Sequence, residues 1–363
     1  MDNNFNSQQP QYEQPVQTAG TYTAPPASYG TPPQYVPPTG SPETPPKPVY
    51  EKIDKKILKQ CRHKAERRWY RRLVVLNILI IAAIVGYFFY TFDESREYVE
   101  NMYNSVVESF EEIQNTEELD SDQAAETSEA LMDEAEDMPE SLEYFIAVLF
   151  ALIAIPFIVY YAYAQYRSMS VRITEKTYPE IYAIVEEYSQ KLGLKKVPKI
   201  YMIQGNGVLN AFTTFIPFKQ YIEVYADLLE VAYREHHDMD TIRFIIGHEM
   251  GHIYYKHSTM HYYYSILLSQ AIPILGETAS RTREYSCDRL AQLLSGSDGV
   301  DAMMSLTAGI HLYKQVDHED YIENAKTVKG FFVFCYNLVS SHPVTSKRVL
   351  ALVDPEKKSG KLY

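Results

Sequence analysis

The chain has 363 residues, 46% of them hydrophobic, and a formal net charge of −13 that is unevenly placed. Residues 1–72 hold eleven Lys/Arg against six Asp/Glu, residues 93–143 hold one base against nineteen acids, and residues 164–363 hold twenty-two of each. A neutral C-terminal region excludes the basic face that nucleic-acid binding needs, and three cysteines with no CxxC pair give no disulfide framework and suit a reducing compartment.

Residues 1–50 hold twelve of the twenty prolines, interspersed with Gln, Tyr, Thr and Gly. Such a composition buries too little apolar surface to offset its ordering entropy, so a disordered tail is expected. Within it Pro45 to Pro48 form a PxxP pattern, which could dock into a partner's aromatic groove; a merely solvated tail is the plainer reading. The polar, Pro-rich start shows no cleavable signal peptide.

Residues 51–72 form a basic segment with ten Lys/Arg, and they lead into residues 73–92, twenty residues without a charge. That length spans a hydrocarbon core of roughly 30 Å. A second apolar run covers residues 142–163, with Pro156 inside and Tyr144, Tyr160, Tyr161 and Tyr163 suited to the interfaces. A buried core helix is the alternative for either run, but two runs of spanning length favour the membrane. The positive-inside rule then puts both termini in the cytoplasm of a cell-membrane protein and residues 93–141, an acidic loop, outside. In that loop Val99, Met102, Val106, Phe110 and Ile113 recur at helical intervals, the mark of a short amphipathic helix.

Residues 164–363 suffice for one domain. Pro179 opens a helix whose stripe is Ile181, Ile184, Val185, Tyr188 and Leu192. "KIYMIQG" and "QYIEVYADLL" read as short strands on either side of "NGVLNAFTTFIPF". The fold class expected is α+β, mainly helical with a small sheet, behind two transmembrane helices.

The stretch "FIIGHEMGHIYYKH" carries His248, Glu249 and His252 as HExxH. On a helix, N-capped by Asp240 and starting at Thr241, the two histidines lie about 40° apart on one face. Glu249 then follows the first histidine where a general base would stand beside a metal-activated water. His257, nine residues past His248, falls about 180° round such a helix and is excluded as a ligand from it. His236, His237 and His261 lack useful spacing.

A metal held this way needs a third ligand and an open position. "SRTREYSCDRLAQLL" offers Glu284 and Asp288, four apart on one helical face: Glu284 would complete a His₂Glu set, and Asp288 would accept the second ring N–H of a ligand histidine. The competing reading is a solvated amphipathic helix with both acids paired to nearby arginines.

"HEMGHI" followed by "SRTREYSCDRLA" resembles the family of integral-membrane zinc metallopeptidases that includes HtpX and the CAAX prenyl endopeptidase. "GVLNAFTT" (Gly207 to Thr214) resembles that family's Asn-Ala-Phe segment, and "SSHPVTSKRVLAL" (Ser340 to Leu352) its C-terminal His-Pro…Arg element. The resemblance covers roughly residues 170–352. It implies one zinc per chain on His248, His252 and Glu284, with Glu249 as catalytic base. It also implies an edge strand at Asn210, Ala211 and Phe212 where an extended peptide adds by backbone pairing. His342 would stand near the metal as an oxyanion donor or a gate, and Arg348 is free to form a structural salt bridge. Two departures stand out. Cys287 occupies the place of the family's usual Ala, to pack as a small apolar group or to sensitise the site to oxidation. "YYYSILLSQAIPIL", fourteen residues, is too short to span and reads as core or membrane-facing surface.

The function expected is that of a membrane-anchored zinc endopeptidase acting on protein or peptide substrates, with membrane-protein quality control as the role the resemblance suggests. The rival is a proteolytically inactive scaffold that binds partners through the tail and the acidic loop.

Overall fold

The computed structural model describes residues 47–115, 121–216, 219–354, 360 and 362. The Pro-rich tail up to residue 46, with the start of its PxxP pattern, lies outside them. Val49–Tyr363 forms one unit; of the preceding one, Met1–Pro48, only Lys47 and Pro48 are described, both irregular.

A short α1 (Lys55–Gln60) precedes α2 (Glu66–Tyr90), which contains the first apolar run. Only Thr91 separates α2 from α3 (Phe92–Asn115), and α4 (Ser121–Glu136) follows, so most of the segment read as an acidic loop is helical. The second apolar run lies in α5 (Glu140–Ser168), where Pro156 is carried inside the helix. Both α2 and α5 are long and apolar enough to cross a membrane. They pack side by side, with the Phe88 and Phe145 rings stacked at 4.3 Å. Away from that seam Ile78, Leu79 and Phe89 of α2 and Phe150, Ile153 and Phe157 of α5 are exposed. Leu73 and Asn77 of α2 are instead buried.

The rest is α+β. Strand β1 (Val171–Ile173) precedes α6 (Pro179–Leu192), which has Pro at its first turn and ends at Gly193, φ +66°. Its predicted stripe, Ile181 through Leu192, is its buried face. Then come β2 (Lys199–Ile203), β3 (Ala211–Ile216) and β4 (Lys219–Tyr225), in a sheet of order β1-β2-β4-β3. β2 and β4 are parallel, while β1 and β3 pair antiparallel. The stretch between the two expected strands is thus largely a strand itself, and "ADLL" belongs to α7 (Ala226–Glu230).

Helix α8 (Met239–Tyr255) carries HExxH. Its N-cap is Asp238, whose carboxylate accepts from the Thr241 N–H at 3.0 Å. The expected cap, Asp240, is one of the first helical residues, where an acid suits the dipole but cannot cap. Next, α9 (Met260–Ser265) and the turn after it pack on the first half of α2, so "YYYSILLSQAIPIL" serves as the seat of that helix. The Asn77 side chain receives the Leu268 N–H at 2.8 Å there. α10 (Leu275–Ser295), α11 (Val300–Ala308), α12 (His318–Thr327), α13 (Phe331–Val339) and α14 (Thr345–Val353) complete the chain.

The pairing of α8 with α10 positions the site. Gly247 and Gly251 face α10: a Cβ on the first would meet Ala291 Cα at 3.1 Å, and one on the second would meet Cys287 Sγ at 3.0 Å. Small residues four apart on both helices let the backbones approach closely, and the acids of α10 come within reach of the histidines of α8.

Candidate metal centre

His248 and His252 stand one turn apart on α8 with their Nε2 atoms 3.3 Å from each other. Glu284 of α10 faces both, Oε2 at 3.5 Å from His248 Nε2 and Oε1 at 3.5 Å from His252 Nε2. Donors held 2.0–2.1 Å from a tetrahedral ion are separated by roughly 3.3 Å. The three side chains therefore fit one zinc ion with a fourth position left open, and their donor set is the His₂Glu type.

The surrounding groups aim these donors. Asp288 Oδ1 lies 2.8 Å from His248 Nδ1, so the ring's other nitrogen points to Glu284. Arg348 of α14 grips Asp288 with two hydrogen bonds, Nε to Oδ2 at 2.9 Å and Nη2 to Oδ1 at 2.6 Å, and its role here is that of an ion pair. His342 Nδ1 lies 2.9 Å from Glu284 Oε2, although two thirds of its side chain is exposed (66%). Burial would lower the His248 pKa, but Asp288 and then Glu284 outweigh it and raise the imidazole to about 10. Burial likewise would raise Glu284, yet hydrogen bonds from His248, His252 and His342 hold it well below the carboxylate range. The cluster stabilises positive charge at this point, which a divalent cation would supply in place of protons.

Glu249 lines the same cavity, of about 280 Å³, as His248, His252, Glu284 and His342. The Thr213 hydroxyl on β3 lies 2.7 Å from Glu249 Oε2 and 3.0 Å from its carbonyl oxygen. Asn210, Ala211 and Phe212 line the cavity too, Asn210 just before β3 and the other two within it, and β3 is the edge of the sheet. Phe244, Met303 and Leu306 supply apolar wall.

His248, His252 and Cys287 also offer atoms within 4.8 Å of one another. Cys287 is fully buried and does not line the cavity, and burial raises its thiol well above the usual value. A metal needs the thiolate, so the set containing Glu284 fits an open metal site better. Cys287 instead packs in the core against Gly251.

Sequence spacing missed two participants. Thr213 stands inside the "NAFTT" stretch but offered no sign of reaching Glu249. His257 is not on the α8 helix at all: Lys256, φ +63°, turns the chain back and brings His257 Nδ1 to 3.2 Å from His252 Nδ1. It meets that ring on the nitrogen away from Glu284, so it does not join the donor set.

The model of peptidase family M48 matches residues 175–276 and 259–356, together half of the chain. No curated protein and no solved structure matches it.

Proposed function

The chain belongs to peptidase family M48, a family of zinc metallopeptidases, and from that premise we propose that it is a zinc-dependent endopeptidase held in a membrane by α2 and α5. The observation that carries the reading is the convergence of His248 and His252, whose Nε2 atoms lie 3.3 Å apart and each 3.5 Å from one oxygen of the Glu284 carboxylate, on the wall of a cavity that also holds Glu249. Those three residues would hold the metal, with Asp288 fixing the His248 tautomer.

Zinc, when bound, would supply Lewis acidity to the scissile carbonyl and to the attacking water. Glu249 takes the proton from that water and returns it to the leaving amine. Thr213 orients the Glu249 carboxylate for both transfers. An extended peptide pairs with the outer edge of β3 along Asn210, Ala211 and Phe212, which lays its backbone across the cavity. His342 stands over Glu284 and donates to the developing oxyanion.

The membrane assignment is supported by the length of α2 and α5 and by the apolar side chains they leave exposed. The ten bases of residues 51–72 support a cytoplasmic position for that end and, two spans later, for the catalytic domain. Membrane-proximal proteins are then the substrates within reach.

The test is cleavage of an unfolded protein by detergent-purified wild type and Glu249→Gln, with zinc content measured in both. The wild type should cleave, and the variant should lose about 100-fold or more in rate while keeping its zinc. Equal cleavage would remove Glu249 from the mechanism. Two inactive, zinc-loaded proteins would favour the scaffold.

A further inference from the structure

We propose that Glu66 and His257 are positioning residues for the metal centre: a buried hydrogen-bonded chain from the first turn of α2 fixes the tautomer and ring orientation of His252. The inference rests on the metal site proposed above. It extends that site to a residue outside the matched segments, which begin at residue 175.

The contacts are continuous. His252 directs Nε2 toward Glu284, and its Nδ1 is 3.2 Å from His257 Nδ1. His257 Nε2 in turn lies 3.0 Å from Glu66 Oε1. Both outer members are buried, His257 at 5% and Glu66 at 3% exposure. The rings of Tyr255 and Tyr262, with centroids 5.6 and 6.0 Å away, flank His257. Glu66 is anchored from other sides as well. It accepts from Arg62 Nε at 2.6 Å and from the Ser286 hydroxyl, which stands between Glu284 and Asp288 on α10.

A single proton arrangement satisfies all of these groups. A histidine that binds a metal through Nε2 carries its proton on Nδ1. That N–H must find an acceptor, and the atom in reach is His257 Nδ1, which is therefore the bare nitrogen. His257 then carries its own proton on Nε2 and donates it to Glu66, a carboxylate that can only accept. Cys287 Sγ lies 3.8 Å from the same His257 nitrogen, but a thiol is a weak donor there and does not reverse the order. The two ligand histidines are thus supported in parallel ways: His248 by the Asp288 carboxylate directly, His252 by the Glu66 carboxylate through one intervening imidazole. Second partners of this kind raise ligand basicity and hold the ring in place.

A plain structural role for Glu66, clamping α2 onto α10, predicts something different. In that case zinc affinity would follow stability whichever contact of α2 is cut. The experiment uses the full chain in detergent and measures zinc affinity by competition with a chelator, alongside the melting temperature. Glu66→Gln and His257→Leu should each weaken zinc binding by about 10- to 100-fold. Asn77→Ala, which cuts the hold of α2 on the Leu268 N–H outside the chain to His252, should leave the affinity unchanged whatever it does to melting. Unchanged affinity in the first two, or parallel losses in all three, would overturn the proposal. Should the variants fail to fold, ¹⁵N histidine shifts of the zinc-loaded wild type decide: the Nε2–H tautomer of His257 supports the chain, and the Nδ1–H tautomer refutes it. A wild type that binds no zinc removes the metal site and this inference together. A wild type that binds zinc, with variants that bind it equally, removes only the inference.

Discussion

Thr213 has one hydroxyl proton and two acceptors on Glu249, the carboxylate at 2.7 Å and the main-chain carbonyl at 3.0 Å. It therefore ties the proposed base both to its own helix and to the edge strand where a peptide would lie. Hydrogen bonds to charged groups are worth about 1.5–3 kcal/mol, so Thr213→Val should lower kcat/KM by roughly 10- to 100-fold with the fold intact. Steady-state kinetics beside a melting curve check this; an unchanged kcat/KM would mean that Glu249 needs no such tether. The HExxH spacing made His248, Glu249 and His252 legible from the sequence, because a ligand pair on one helix face is a local property. From spacing, Glu284 and Asp288 could serve as ligand and supporting acid or as a solvated face, and only the resemblance of the surrounding motifs favoured the ligand reading. Thr213 and His257 were not legible, the first because its partner comes from another element, the second because the helix stops one residue short of Lys256.

Between elements, the contact that assembles the site is the glycine face of α8 on α10. A methyl group at Gly251 would sit 3.0 Å from Cys287 Sγ and 3.1 Å from Cys287 Cα, and neither backbone can yield without moving a donor. Gly251→Ala should thus cost about 1–3 kcal/mol, read as a lower melting temperature, and should also loosen zinc binding. Gly86→Ala in α2 is the control: nothing lies within 4 Å of its added carbon, and helix propensity favours the change. Equal behaviour of the two variants would show that the close approach is unimportant. The same pair of helices accounts for Cys287 in place of the Ala usual in the resembling family. Its position demands a small side chain, and the buried thiol meets that demand. The apolar stripe and Pro179 predicted α6 well because they depend on neighbours in sequence. The cap was misplaced by two residues because Asp238 and Asp240 have the same chemistry, and only the geometry of the first turn separates them. "AFTTFI" was harder still, as its strand character comes from pairing with β4.

For the molecule as a whole, the sheet rests on α5, and one acid is caught in the joint. Glu223 pairs across the ladder with Tyr201 and Phe212, on the face that meets Tyr163 and Tyr166 of α5. It is 1% exposed, one of its carboxylate oxygens has no hydrogen-bond partner among the described residues, and burial pushes its pKa up to about 7. Long-range placements of this kind cannot be read from spacing, just as Ser286 and Glu66 meet across 220 residues. The consequence is a stability that depends on pH with a definite sign. In the unfolded chain a Glu ionises near 4.3, while in the fold Glu223 keeps its proton up to about 7. Between those values the folded state binds more protons, so the contribution of Glu223 to stability falls as pH rises through that window and levels off above it. Gln at this position cannot ionise. Glu223→Gln should therefore nearly match the wild type near pH 4.5 and exceed it at pH 8 by a few kcal/mol, at about 1.36 kcal/mol for each unit by which burial raises the Glu223 pKa. Melting temperatures of both proteins in one detergent, taken across that range, give the difference directly and cancel the titrations they share. A difference that stays constant with pH, or that grows toward acid, would mean that Glu223 finds a partner or water at the joint and that α5 lies less tightly on the sheet.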